Sequence, residues 1–296
     1  MLEKQRIRIF WQYILPGFAV YAVFFIYPFI NAFYISFTNW DGFAERKSFI
    51  GLQNYAELFR DRRAISAFGH NIQMFLYTAV FTFILAMLFA VLITQFRLRG
   101  KSFYRVVFYF PNVLNVVVVG LIWMLILSPT DVGMLNAFLG AVGLGGWKHA
   151  WLGELGTVLP ALSVPWIWMA VGFYMLLFIA AIQSVPDDIL EAAIIDGASK
   201  WKQFIALILP LIWETVRTAI IFFLLHAFNS TFIIVNLLTR GGPGKASELL
   251  TTYMYENAFS NRRFAYATTI GMTIFLILVI LSLLSLKVTK REVHEY

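Results

Sequence analysis

The chain has 296 residues, of which 60% are hydrophobic, 18% aromatic and only 13% charged, and its mean hydropathy is +0.75. Soluble domains carry about a quarter charged residues, so this composition excludes a water-soluble fold. The net charge of +7 belongs, in a membrane protein, to cytoplasmic loops and not to nucleic-acid binding. The absence of Cys excludes disulfides, thiolate metal sites and Cys nucleophiles.

A bilayer core of about 30 Å requires roughly 20 apolar residues in a helix. Six stretches qualify: Ile9 to Trp40, Gly69/Asn71 to Phe96, Val106 to Thr130, Leu155 to Pro186, Thr218 to Thr239, and Phe264 to Leu286. The first follows Lys4, Arg6 and Arg8 but is too long for a signal-peptide core and has no A-x-A cleavage pattern, so it reads as a retained span. Pro16 and Pro28 in the first span, Pro111 in the third, and Pro160 and Pro165 in the fourth read as packing kinks, their freed carbonyls satisfied by neighbouring helices. The fold class expected is an all-α polytopic membrane bundle of six transmembrane helices, with short cytoplasmic helices and a single domain over 1–296.

Six spans put both termini on one side. With the N-terminus inside, the cytoplasmic segments hold 13 basic residues and the longer external loops hold 10. The short connection with Arg97, Arg99, Lys101 and Arg105 is the densest basic patch, and short loops dominate the positive-inside rule. Both termini are therefore expected in the cytoplasm.

Carriers driven by protons or sodium place ionisable groups inside the membrane, and these spans are nearly empty of them. Glu214 and Arg217, three residues apart, read as a local pair at the start of the fifth span, and His226 as a hydrogen-bonded packing residue. His70, His149, His226 and His294 are scattered and form no metal or catalytic motif. Gly100-Lys101-Ser102 imitates the end of a phosphate-binding loop, but Gln95 stands where its first Gly is required. No catalytic residue, metal site or cofactor is expected in this chain, so energy for pumping must come from another.

Between the fourth and fifth spans, residues 184–210 read as a helix, a turn and a second helix. Pro186 sits at the first helix start, Asp187 and Asp188 complement its positive end, and Gly197 ends it in a left-handed conformation. Ser199 caps a second helix, Lys200 to Leu209, which is expected to stop at Pro210. Trp201, Phe204, Ile205 and Ile208 recur on one apolar face of it. Ala192 and Ala193 keep one face of the first helix thin, so that a partner's groove can close around a rigid knob. Docking and an ordinary inter-helix connection both fit this spacing.

Glu191-Ala192-Ala193, Asp196-Gly197-Ala198, and Phe204, Ile208, Leu209 and Pro210 resemble the EAA loop of ABC-importer permeases. The resemblance extends over nearly the whole chain to the carbohydrate-importer subfamily: Ser36 to Trp40, Phe49 to Tyr55, Phe110-Pro111, Gly120 to Trp123, Gly133 to Asn136, Leu238 to Pro243, and Tyr255 with Ala258-Phe259. Two departures are present. The stretch Phe228 to Leu238 is one residue longer than the usual spacing, and the large external domain of some relatives is absent.

The resemblance implies a transport subunit, not an enzyme, in the cell membrane of a bacterium. Its implied partners are a second homologous permease, two ATP-binding subunits that hold ATP and Mg, an extracellular or periplasmic solute-binding protein, and a carbohydrate. By matching position, residues Asp187, Asp188, Glu191, Ala192, Ala193, Asp196, Gly197 and Ala198 would form the ATPase-coupling loop. Glu191 would contact the ATPase, Asp196 would stabilise the turn and Gly197 would permit it. A sugar presents hydroxyls and an apolar ring face, so its path should combine aromatic platforms with amides or hydroxyls. The candidates are Trp166, Trp168, Met169 and Phe173 on the fourth span, Asn229, Ser230 and Thr231 on the fifth, and Asn112 and Asn115 on the third. An ion-coupled carrier, and an ABC importer of a lipid-head-group phosphodiester or peptide, are the competing readings.

Overall fold

The computed structural model describes residues 2–288 apart from Arg46, Arg97, Thr130 and Asp131, and omits the side chains of residues 2–9, 227–230 and 288. In chain order its α-helices are α1 (Leu2–Tyr21), α2 (Tyr27–Ile35), α3 (Gln53–Leu58), α4 (Arg62–Gln95), α5 (Lys101–Val113), α6 (Val116–Ile126) and α7 (Met134–Ala141). After them come α8 (Val158–Gln183), α9 (Asp187–Ile195), α10 (Lys200–Gln203), α11 (Leu209–Leu211), α12 (Trp213–Leu238), α13 (Leu250–Tyr255) and α14 (Phe264–Val288). Among the described residues there is no strand, only an isolated antiparallel bridge between Thr38 and Phe49.

Four segments are long and apolar enough to cross a bilayer: Phe10–Ile35, Arg62–Gln95, Val158–Gln183 and Phe264–Lys287. Two bent pairs, Lys101–Val113 with Val116–Ile126 and Lys200–Leu211 with Trp213–His226, bring the number to six when each counts as one span. The all-helical expectation is met, but the third span is broken: its halves meet at 99°. The break falls at Leu114 and Asn115, both in extended backbone, not at Pro111. Asn115 accepts a hydrogen bond from the Val117 N–H at 2.9 Å and so starts a new helix, as Asn does where its short side chain replaces a backbone acceptor.

Pro210 does not end its helix, against expectation. The helical run continues to Leu211, because Phe204–Ile208, which end two residues before Pro210, form a π turn in which the Leu209 N–H bonds to the Phe204 carbonyl. Pro28 has the same setting, two residues after the π turn Ala22–Ile26. A π turn widens the backbone where a proline ring would collide with the preceding turn.

The chain divides into two compact units. One comprises the chain up to Ile65 with Tyr253–Leu276, and the other Ser66–Thr252 with the chain from Ile277. In the first, the amide of Asn54 donates to the carbonyls of Ser36 and Thr38 at 2.9 and 2.8 Å, and the Ser36 and Tyr55 hydroxyls lie 2.9 Å apart. These bonds clasp the segments Ser36 to Trp40 and Phe49 to Tyr55. Asp61 accepts from the hydroxyls of Tyr253 and Tyr266 at 2.5 and 2.7 Å, Arg63 pairs with Glu256, and Arg263 pairs with Glu57 at 2.6 Å. Burial acts to raise the Asp61 pKa, but the two hydroxyls and the N–H groups of Ala64 and Arg63 outweigh it, and the carboxyl is held below its ordinary range.

The second unit is organised on α8, whose Leu162, Met175 and Phe178 are fully buried against α4 and α12 residues such as Ala86 and Phe223. Helices α5 and α8 approach so closely at Gly172 that a Cβ there would lie 2.2 Å from the Phe108 carbonyl oxygen. Asn136 is buried and donates to the His149 carbonyl at 2.9 Å while accepting from the Trp151 indole at 2.8 Å. That residue of the Gly133 to Asn136 motif therefore organises the loop before α8.

Candidate functional site

The loop between α8 and α12 folds as a knob with a closed bend. Pro186 caps α9 in a polyproline-like conformation, and Asp187 and Asp188 occupy its first turn. At the other end Gly197 has φ +72°, the left-handed conformation expected of it. Its N–H donates to the Ile194 carbonyl at 3.0 Å and the Ala198 N–H donates to the Ala193 carbonyl at 2.9 Å. These two bonds are the Schellman pattern. The Ser199 hydroxyl then caps α10 by accepting from the Lys202 N–H at 3.3 Å.

A further bond comes from a residue that the sequence did not single out. Gln203, 1% exposed, donates its side-chain amide to the Ala198 carbonyl at 2.7 Å, fastening the bend to the start of the second helix. The Asp196 carboxylate is exposed and makes no hydrogen bond among the described residues, so in this chain the bend is held by backbone groups and Gln203.

The exposed surface of α9 carries Asp187, Asp188, Glu191 and Ala192, while Ala193 turns inward. Ile194 and Ile195 are also exposed, Ile195 at 86%. An isoleucine that exposed, beside Glu191 and ahead of a rigid bend, gives the knob an apolar tip that sequence spacing had not marked; its signal was an apolar pair where a helix end in water would be polar. The second helix also departs from expectation. Phe204 and Ile208 are buried, but Trp201 and Ile205 are exposed, because the π turn changes the angular spacing that α periodicity assumes.

The substrate-path candidates separate into different surroundings. Asn115 caps α6, and the Asn112 amide donates to the Met169 carbonyl at 3.3 Å, tying α5 to α8. Trp166 and Met169 are buried, and Phe173 is half-exposed on nearly the same face of α8 as Trp166. Thr231 is buried on α12; the side chains of Asn229 and Ser230 lie outside the described residues. Trp168 belongs to another face. It lines an open apolar groove of about 400 Å³ with Leu85 and Phe89 of α4, Phe108 and Pro111 of α5, and Trp123 of α6. Trp123 and Trp168 meet edge to face, with ring centroids 6.0 Å apart.

Of the charged residues near the spans, Arg217 donates to both carboxylate oxygens of Glu214 at 3.1 Å and to the Leu286 carbonyl at 3.3 Å. His226 bonds through Nδ1 to the Phe222 carbonyl at 2.8 Å, one turn back on its own helix. The Glu214–Arg217 pair is the local one expected, with a further tie to α14; His226 is hydrogen-bonded as expected but exposed, not packed.

Comparison with known proteins agrees with this architecture. Residues 82–289 match the family described as binding-protein-dependent transport system inner membrane component. The chain is 33% identical to the diacetylchitobiose uptake system permease protein NgcF of Streptomyces coelicolor, over 92% of this chain and 80% of that one. It is 34% identical to a probable ABC transporter permease protein, YurN, of Bacillus subtilis, over 93% and 94%. Its fold is similar to that in a crystal structure of a bacterial ABC transporter involved in import of the acidic polysaccharide alginate. The TM-score is 0.86 at 22% identity, covering 99% of this chain and 98% of that one. The chain belongs to the inner-membrane components of binding-protein-dependent transport systems, the permease subunits of ABC importers.

Proposed function

We propose that this chain is one of two permeases of an ATP-driven importer of a sugar or oligosaccharide, and that residues 184–210 couple it to an ATPase subunit. The observation that carries the proposal is the knob itself: an exposed helix bearing Glu191 and Ile195, locked by the Gly197 bend and by Gln203 so that it moves as a rigid body. Asp187, Asp188, Ala192, Ala193, Asp196 and Ala198 complete the coupling surface, and the ATPase subunits hold ATP and Mg. Coupling of this kind needs no ionisable carrier group in the spans, and the Glu214–Arg217 pair and His226 are engaged locally.

The sugar assignment draws on the relative that takes up diacetylchitobiose. Phe173, Asn112, Asn115, Trp166, Met169, Thr231, Asn229 and Ser230 are the path residues proposed, with Phe173 the exposed aromatic among them; the geometry favours Trp168 least. A solute-binding protein delivers the sugar to the outer face, and both termini lie in the cytoplasm.

The test is co-purification of the chain with its second permease and ATPase, reconstitution in proteoliposomes, and site-specific photocrosslinking from position 195. The expected result is a crosslink to the ATPase and stimulation of ATP hydrolysis by saccharide-loaded binding protein. Flux in the absence of any ATPase, or a position-195 crosslink only to the binding protein, would overturn the proposal.

A further inference from the structure

The groove beside Trp168 is a feature that the coupling reading leaves unused. Its lining is almost wholly apolar and its size falls within the range of about 300–1,000 Å³ typical of small-ligand clefts. A sugar would leave its hydroxyls unpaired there. On α5, Phe108 and Pro111 line the groove, and Arg105 stands one turn before Phe108 on the same side of the helix. The Arg105 Nε is buried with no hydrogen-bond partner, and no carboxylate pairs with its guanidinium among the described residues. Helical side chains lean toward the N-terminus, so Arg105 leans from the groove toward the basic connection that carries Arg99 and Lys101.

An unpaired cation beside hydrocarbon is costly and calls for an anion. Among the described residues no acidic side chain supplies one to Arg105, while the adjoining groove offers an apolar bed. Charge at one end and hydrocarbon along the rest is the chemistry of a lipid. We propose that the α5–α8 groove and Arg105 form a binding site for an anionic glycerophospholipid, its phosphate on Arg105 and an acyl chain along Phe108 and Trp168. The site rests on the reading that residues 97–105 face the cytoplasm, where anionic headgroups attract basic residues near the surface. Lys101 donates to the Thr94 carbonyl at 3.4 Å, and Arg105 is the basic residue one turn from the groove-lining Phe108, which makes it the phosphate partner proposed.

Native mass spectrometry of the full chain, purified with its co-purifying subunits, tests this after exchange into detergent containing phosphatidylglycerol or phosphatidylcholine. One phosphatidylglycerol per chain should be retained in preference to phosphatidylcholine. Arg105→Gln should weaken retention about fivefold, the contribution expected of one basic residue near the surface. Val107 also lines the groove, and Val107→Trp, which narrows it while keeping the Arg105 side chain, should weaken retention too. Millimolar inorganic phosphate should not displace the lipid. Equal retention of both lipids, full retention by both variants, or displacement by phosphate alone would overturn the proposal. So would loss of the second permease from Val107→Trp with lipid retained, since that assigns the groove to a partner helix. Lipid retention is read without nucleotide or sugar, so its outcome is separate from that of the transport test.

Discussion

The side-chain amide of Gln203 donates to the carbonyl of Ala198 across 2.7 Å and thereby fastens the residue that follows Gly197 to the second helix of the loop. A buried amide in that place ties the bend at its open side, where the backbone pattern of α9 has already ended. Removing it should loosen the knob without unfolding the spans. Gln203→Leu deletes one hydrogen bond of about 1 kcal/mol and should leave insertion and detergent stability nearly unchanged. Coupled ATP hydrolysis in the reconstituted complex should fall severalfold, and normal coupling would remove Gln203 from the account.

Gly197 tests the bend through backbone conformation alone. Its φ is +72° and a Cβ there would meet nothing within 4 Å, so a substitution is strained but not crowded. Gly197→Ala should cost about 1–2 kcal/mol for the left-handed conformation, and Gly197→Asn less. Gly197→Pro cannot adopt this φ and should abolish coupling. ATPase stimulation across the three variants should follow that order.

Gly172 tests packing. A Cβ would lie 2.2 Å from the Phe108 carbonyl oxygen and 2.6 Å from the Tyr109 Cα, both rigid backbone. Gly172→Ala should therefore separate α5 from α8 and cost about 1–3 kcal/mol, as overpacking does. The melting temperature in detergent should drop, whereas Gly156→Ala, with open space at its Cβ, should leave it unchanged.

Asp61 predicts a pH dependence. Its folded-state pKa lies below the ordinary carboxylate value of about 3.9, so ionised Asp61 stabilises the fold above that pH. The contribution is lost as pH falls through the lower folded-state value. Asp61→Asn should be less stable than the wild type at pH 7, and the gap between their melting temperatures should close below about pH 4. A gap that widens on acidification would contradict the arrangement with Tyr253 and Tyr266.

Periodicity and punctuation determined the helices and one bend. Runs of about 20 apolar residues require helices in a bilayer, because hydrocarbon offers backbone groups no other partner. The left-handed turn at Gly197 was equally determined, since few other residues adopt that φ cheaply. The cap at Ser199 followed from local chemistry in the same way. Each of these needs only a few neighbouring residues to specify it.

What only the tertiary structure decided depends on residues distant in the chain or on a change of helical period. The 99° break between α5 and α6 falls at Asn115 and not at Pro111, because Asn115 supplies a new cap. The helix runs through Pro210 and exposes Ile205 because a π turn alters the geometry that the 3.6-residue period assumes. Gln203 became a clasp only when packing buried its side chain and left its amide on the Ala198 carbonyl, a pairing that helical periodicity does not mark. Arg105 became an unpaired cation beside an apolar groove only once α4, α5, α6 and α8 packed around Trp168. Burial and pairing are properties of a neighbourhood assembled from several helices, and a linear pattern does not contain them.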